Sequence, residues 1–195
     1  MLEDLKKLNN EANKKALSDN IDSFVSSNIN FFTKSFMITL CAYLESYLKD
    51  ISMEIIDAMN ARLYSAKLPY NLVKWSILKK KELADLNDNE LKFEQLTLNI
   101  TKKELDSFIS GMPYRTENLF KKFGIRLFDD EIYNHQKEKI ISIVVKRNEI
   151  LHYNDTASDL SFTDVSNNID YVTEYIENLD KIVIIFINTP SGLSL

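Results

Sequence analysis

The chain has 195 residues, 45% hydrophobic and 27% charged. That is long enough to bury most of its unfolded surface around one core, with the balance of an ordinary soluble globular domain. Its 24 Lys+Arg against 29 Asp+Glu leave a formal net charge of −5, which argues against a duplex binder held by a broad cationic face. Only three glycines and three prolines favour long helices over an all-β or loop-rich fold. No apolar run approaches the roughly 20 residues that span a bilayer; the longest are "MITLCAYL" and "IVIIFI". The charged "MLEDLKKLNN" lacks the apolar core of a signal peptide, so the expected compartment is the cytoplasm, with no membrane partner. Cys41, the one cysteine, cannot form an internal disulfide and reads as a buried structural thiol.

In chain order, residues 2–17 read as a helix interrupted at 18–20. Between 31 and 59, Phe36, Leu40, Leu44, Leu48, Ile51, Ile55 and Met59 recur in steps of three and four, one stripe of a long amphipathic helix. Glu45 and Lys49 on that helix have the spacing of an i,i+4 ion pair. Pro69 can open a short helix through "YNLVKWSILKKKEL", with Trp75 as a core anchor; "DLNDNELKFEQL" has no clean period and reads as a surface excursion. Thr101 and Glu104 have capping-box spacing for a helix to Ser110, and "GMPY" breaks the chain. Thr116 is expected to cap a short helix through "ENLFKKF", stopped by Gly124.

A helix then starts near Asp130 and runs through "IYNHQKEKIISIVVKRNEIL". Its β-branched centre could suit a strand, but 20 residues without Gly or Pro favour helix. After the polar "YNDTASDLSF", Ser161 or Thr163 caps a last helix with Val165, Ile169, Val172, Ile176 and Leu179 on one stripe. The sum is a single all-α domain over 1–195, an antiparallel helical bundle with extra short helices.

A Gly-rich phosphate loop, a nucleophile elbow and a His/Cys metal cluster are all missing from the sequence. The paired basic residues at 79–81, 102–103, 121–122 and 146–147 each read as solvated helix faces. His135, among polar neighbours, reads as exposed, and Phe31, Phe32 and Phe36 as core or dimer packing. What remains is Arg147-Asn148-Glu149-Ile150-Leu151-His152 at a helix end. Five helical residues turn through about 500°, leaving Arg147 and His152 about 140° apart, while Asn148 and His152 share a face. For Arg147 and His152 to act on one phosphate, the helix must unwind near Leu151 or a second subunit must supply the partner.

"RNEILH" resembles the R-x4–6-H signature of the HEPN superfamily of all-helical domains, and asparagine after the arginine is its usual polar choice. "LCAYLESYLKDI" is similar to the family's helix with an acidic residue, and "ENLFKKFGI" to the segment before the motif helix. The similarity spans roughly 31–187 and is greatest to the RiboL-PSP-HEPN branch. It implies a metal-independent endoribonuclease without cofactor, a toxin or antiviral effector with an RNA substrate; the Asn-, Ile- and Lys-rich composition separately suggests a bacterial source. It also implies a homodimer with one composite cleft, and a possible antitoxin or defence-system partner protein. Carried over, Arg147, Asn148 and His152 are the catalytic residues, with Glu45 and Tyr153 supporting. A histidine can take the ribose 2′-OH proton or protonate the leaving 5′-oxygen, and an arginine can hold the phosphate oxygens. Tyr153 departs from the small residue many members carry there and reads as packing beside the turn. The alternative is a non-catalytic helical module binding nucleotide, RNA or a partner protein.

Overall fold

The structure, a computed structural model, describes residues 1–18, 22–78, 91–152 and 159–189. Its elements are α1 (Leu2–Leu17), α2 (Ser23–Ser27), α3 (Ile29–Ala66), α4 (Tyr70–Leu78), α5 (Lys102–Leu105), α6 (Pro113–Phe123), a 3₁₀ turn (Leu127–Asp129), α7 (Glu131–His152) and α8 (Phe162–Asn188). No strand occurs among the described residues, so the fold is all-α as expected. Among them no helix is long and apolar enough to cross a membrane.

The 38-residue α3, about 57 Å at 1.5 Å per residue, is the spine. It buries Leu40, Leu44, Leu48, Ile51 and Ile55 from the expected stripe, joined by Met37, Cys41 and Ile56; Phe36 and Met59 pack at its margin. Cross-helix hydrogen bonds set its register on α8. Asn168 donates to Met37 Sδ at 3.5 Å, the Tyr47 hydroxyl to Asp180 at 2.7 Å, and Arg62 to the Phe186 and Thr189 carbonyls at 3.2 and 3.0 Å. Rising numbers on α3 meet rising numbers on α8, so these two helices run parallel.

α1 and α7 run antiparallel to that pair. On α1, Asn9 donates to the Phe162 carbonyl at 2.8 Å and Lys6 pairs with Asp170. On α7, Asp130 caps the start, accepting from the Tyr133 amide at 2.6 Å and from Asn178 of α8 at 2.9 Å. Near its other end, Lys146 holds Asp159 at 2.7 Å. Both ends of α7 are therefore fastened to α8 or its lead-in.

Several local expectations are corrected. Trp75 is exposed rather than a core anchor, because α4 does not seat it in the bundle. Thr116 does not cap α6: Pro113 occupies the first turn after Met112, and Thr116 is buried one turn in, its hydroxyl donating to the Met112 carbonyl. Proline suits that place because its missing N–H is not needed there. The Thr101–Glu104 capping box is present, yet α5 stops at Leu105 instead of reaching Ser110. Ser161, with Asp164 as its reciprocal partner, caps α8. Gly124 ends α6 in the left-handed conformation, as its position suggested. Phe31 is exposed, while Phe32 and Phe36 are half-buried.

Candidate active site

The centre of the site is an ion pair across two helices. Arg147 of α7 donates to the Glu45 carboxylate of α3, their side chains 17% and 32% exposed. A half-buried guanidinium needs such a partner, because transfer from water without one is costly. The sequence pairing of Glu45 with Lys49 is not the one formed. Lys49 instead pairs with Asp106, just beyond α5, leaving Glu45 to Arg147.

Two further groups press on this pair. Cys41, one turn before Glu45, is fully buried against Arg147; burial pushes its thiol up to about 11, although Arg147 pulls the other way. That elevation suits a structural thiol and not a nucleophile. Gly111, at φ +71°, closes the loop between α5 and α6 over the site. A Cβ there would lie 3.3 Å from Val144 Cγ2, 3.6 Å from Leu44 Cδ2 and 3.8 Å from Glu45 Cγ. Sequence reasoning read "GMPY" only as a break and Cys41 only as core. The i−4 spacing of Cys41 from Glu45 was a usable signal; the approach of Gly111 was not, since it depends on how the loop folds back.

Towards its C-terminus α7 does not unwind. It stays helical through His152, which is exposed, so the expected loosening near Leu151 is absent. Arg147 therefore faces α3, and His152 projects about 140° away and about 7.5 Å further along the axis. Asn148, half-buried, sits one turn before His152 on its side, as the spacing required. The same side carries Val145, 39% exposed, and the half-buried Ile141. His135 is exposed, between three and four turns before Asn148. Tyr153 lies outside the described residues. Lys121 and Lys122 stand over the rings of Phe128 and Phe108, at 5.3 and 5.0 Å from their centroids.

An all-helical bundle is the fold class of HEPN domains. The chain belongs to the RiboL-PSP-HEPN family, whose model matches residues 2–184. This takes in α1 as well as the segment from 31 that carried the resemblance. No curated protein and no solved structure matches the chain. Family membership associates it with RNase-like or nucleotide-related function.

Proposed function

We propose that the protein is a HEPN-type endoribonuclease that cuts RNA without a metal, by attack of a ribose 2′-OH, leaving a 2′,3′-cyclic phosphate. The observation that carries this reading is that Arg147, paired with Glu45, and an exposed His152 lie on one uninterrupted helix. Glu45 occupies one edge of the guanidinium; the remaining donors suit the non-bridging phosphate oxygens. His152 serves as general acid or base and Asn148 orients the substrate.

The 140° separation argues for a site built from two copies. Ile141, Val145, Asn148 and His152 form a side of α7 that is apolar at one end and chemically equipped at the other. A two-fold axis at this side would bring each His152 towards the partner's motif, because such interfaces repeat one patch on both subunits. A role as a toxin or defence effector, with an antitoxin or other partner protein, follows from family resemblance alone and is part of the same proposal.

The test is cleavage of mixed-sequence RNA by purified protein in chelator, with the products read for cyclic phosphate ends. Arg147→Ala and His152→Ala should each abolish cutting while leaving the circular dichroism spectrum unchanged. Cutting that survives either substitution defeats the assignment. The same separation favours a second reading, a HEPN module that binds RNA or a nucleotide without cutting it. On that reading His152→Ala leaves binding intact and no product forms from the wild-type protein.

A further inference from the structure

We propose that the outer face of α6 is the track along which a single RNA strand reaches the candidate active site. Arg115, Lys121 and Lys122 hold its phosphates, and the Tyr114 ring stacks on a base. The choice of RNA as ligand rests on the proposed ribonuclease reading; the cationic face itself does not.

Helical spacing puts these groups together. Tyr114, Arg115, Asn118, Lys121 and Lys122 stand at i, i+1, i+4, i+7 and i+8 of α6, within an arc of about 120°, and all five are exposed. The opposite side of the helix buries Thr116, Leu119 and Phe120, which turns this face outward. Its lysines are placed rather than loose. The Lys121 and Lys122 ammonium groups stand 5.3 and 5.0 Å from the ring centroids of Phe128 and Phe108, within the range of a cation–π contact. Those two rings, each about two-fifths exposed, flank the face.

Charge selects an anion. Among the described residues none of Arg115, Lys121 and Lys122 forms an ion pair, in a chain of net charge −5. Acids flanking them in the chain are engaged elsewhere: Asp106 by Lys49, Glu104 by the Thr101 cap, and Asp130 by the Tyr133 amide and Asn178. Glu117, the one acid of α6, is half-buried and close enough to Tyr133 and Tyr175 to oppose their ionisation. The exposed Asp129 and Glu131 come only beyond Phe128. Position then selects RNA. α6 starts two residues after Gly111, the residue closed over the Glu45–Arg147 pair, so Arg115 is at most about 15 Å from Gly111. The cationic row, about 10 Å from Arg115 to Lys122, thus begins beside the guanidinium that the proposed reaction uses. Rings interleaved with cations hold a single strand without sequence preference, bases stacking and phosphates pairing. In sequence the 121–122 doublet read as a solvated helix face; the approach of Gly111 to Glu45 is what connects that face to the site.

The measurement is fluorescence anisotropy of end-labelled oligouridylate, titrated over a range of salt with the full chain carrying His152→Ala to exclude cutting. Binding should saturate. Lys121→Gln with Lys122→Gln should weaken it about tenfold and flatten the salt slope by about 1.4, at about 0.7 for each phosphate contact on a single strand. Lys14→Gln with Lys15→Gln, which removes the same charge from the end of α1, should change neither. Tyr114→Ala should weaken binding about tenfold. All these side chains are exposed, so the fold should survive, which circular dichroism checks. Absence of saturable binding, equal losses from the two lysine pairs, or binding indifferent to Tyr114→Ala would each overturn the proposal. So would displacement of the label by polyglutamate or by phosphatidylserine vesicles as effective as by unlabelled oligouridylate, since the occupant would then be an acidic protein or a membrane. With His152 restored, RNA bound through α6 but never cut defeats the ribonuclease reading instead. RNA cut by the Lys121→Gln, Lys122→Gln chain at unchanged KM defeats only this one.

Discussion

Arg147 is held in place by a single carboxylate, which makes Glu45 the residue to change first. Glu45→Gln keeps the shape but removes the charge facing a largely buried guanidinium. The expected cost is about 1–3 kcal/mol, a drop of about 2–12 °C in melting temperature for a chain of this size. Cleavage should fall with it, because Arg147 loses its orientation. A melting temperature equal to that of the wild type would show that the pair is merely a surface contact. Gly111 offers an independent check on the same pocket. Gly111→Ala meets both a positive φ and Val144 Cγ2 at 3.3 Å, whereas Gly124→Ala meets a positive φ and open space. Backbone strain alone should cost each about 1–2 kcal/mol. In urea titrations Gly111→Ala should therefore be the more destabilised of the two; equal losses would mean Val144 moves aside freely.

At the level of elements, the caps decide where the helices begin, and their chemistry predicts a pH response. The Ser161 hydroxyl, then the Ser161 amide, hold the Asp164 carboxyl below its usual range; the Thr101 amide and hydroxyl do the same for Glu104. A carboxyl with a depressed folded pKa contributes stability above its unfolded value and loses it as pH falls through the lowered one. Ser161→Ala should cost about 1 kcal/mol at neutral pH. The gap between variant and wild type should narrow once the medium is acid enough to protonate Asp164. A gap that stays constant down to that pH would assign the cap's value to geometry rather than charge. The capping boxes and the Gly124 stop were legible in sequence because each is a local pattern of three or four residues. The Pro113 start was missed because Thr116, a good cap by type, outranked a proline that needed no cap.

The whole molecule has α3 and α8 parallel, with α1 and α7 antiparallel to both. The passage from 67 to 130 joins α3 to the antiparallel α7, which a short turn could have connected. It carries Gly111 to the ion pair. The composite site is testable at this scale by co-expressing Arg147→Ala with His152→Ala. If one subunit's arginine works with the other's histidine, mixed dimers keep one intact site and the pair should recover part of the activity that each variant lacks alone. No recovery, in dimers shown to have exchanged, would place both groups of a working site in the same chain. Val145→Asp, on the face shared with His152, should shift sedimentation from dimer to monomer and abolish cutting together.

Periodicity along the chain was enough to determine the all-helical class, the stripes of α3 and α8 and the extent of α7. Each depends on repeats of three and four within one helix. The motif residues Arg147, Asn148 and His152, and the angle between them, were equally readable, because a helix converts spacing into direction. Partner choice was not. Glu45 had two basic candidates, and only the packing of α7 against α3, with Asp106 arriving to take Lys49, decided for Arg147. Likewise Trp75 looked apolar enough for the core, but a residue is buried by what covers it, and α4 leaves it in solvent. Local pattern determines an element; which surfaces meet is a property of the assembled fold.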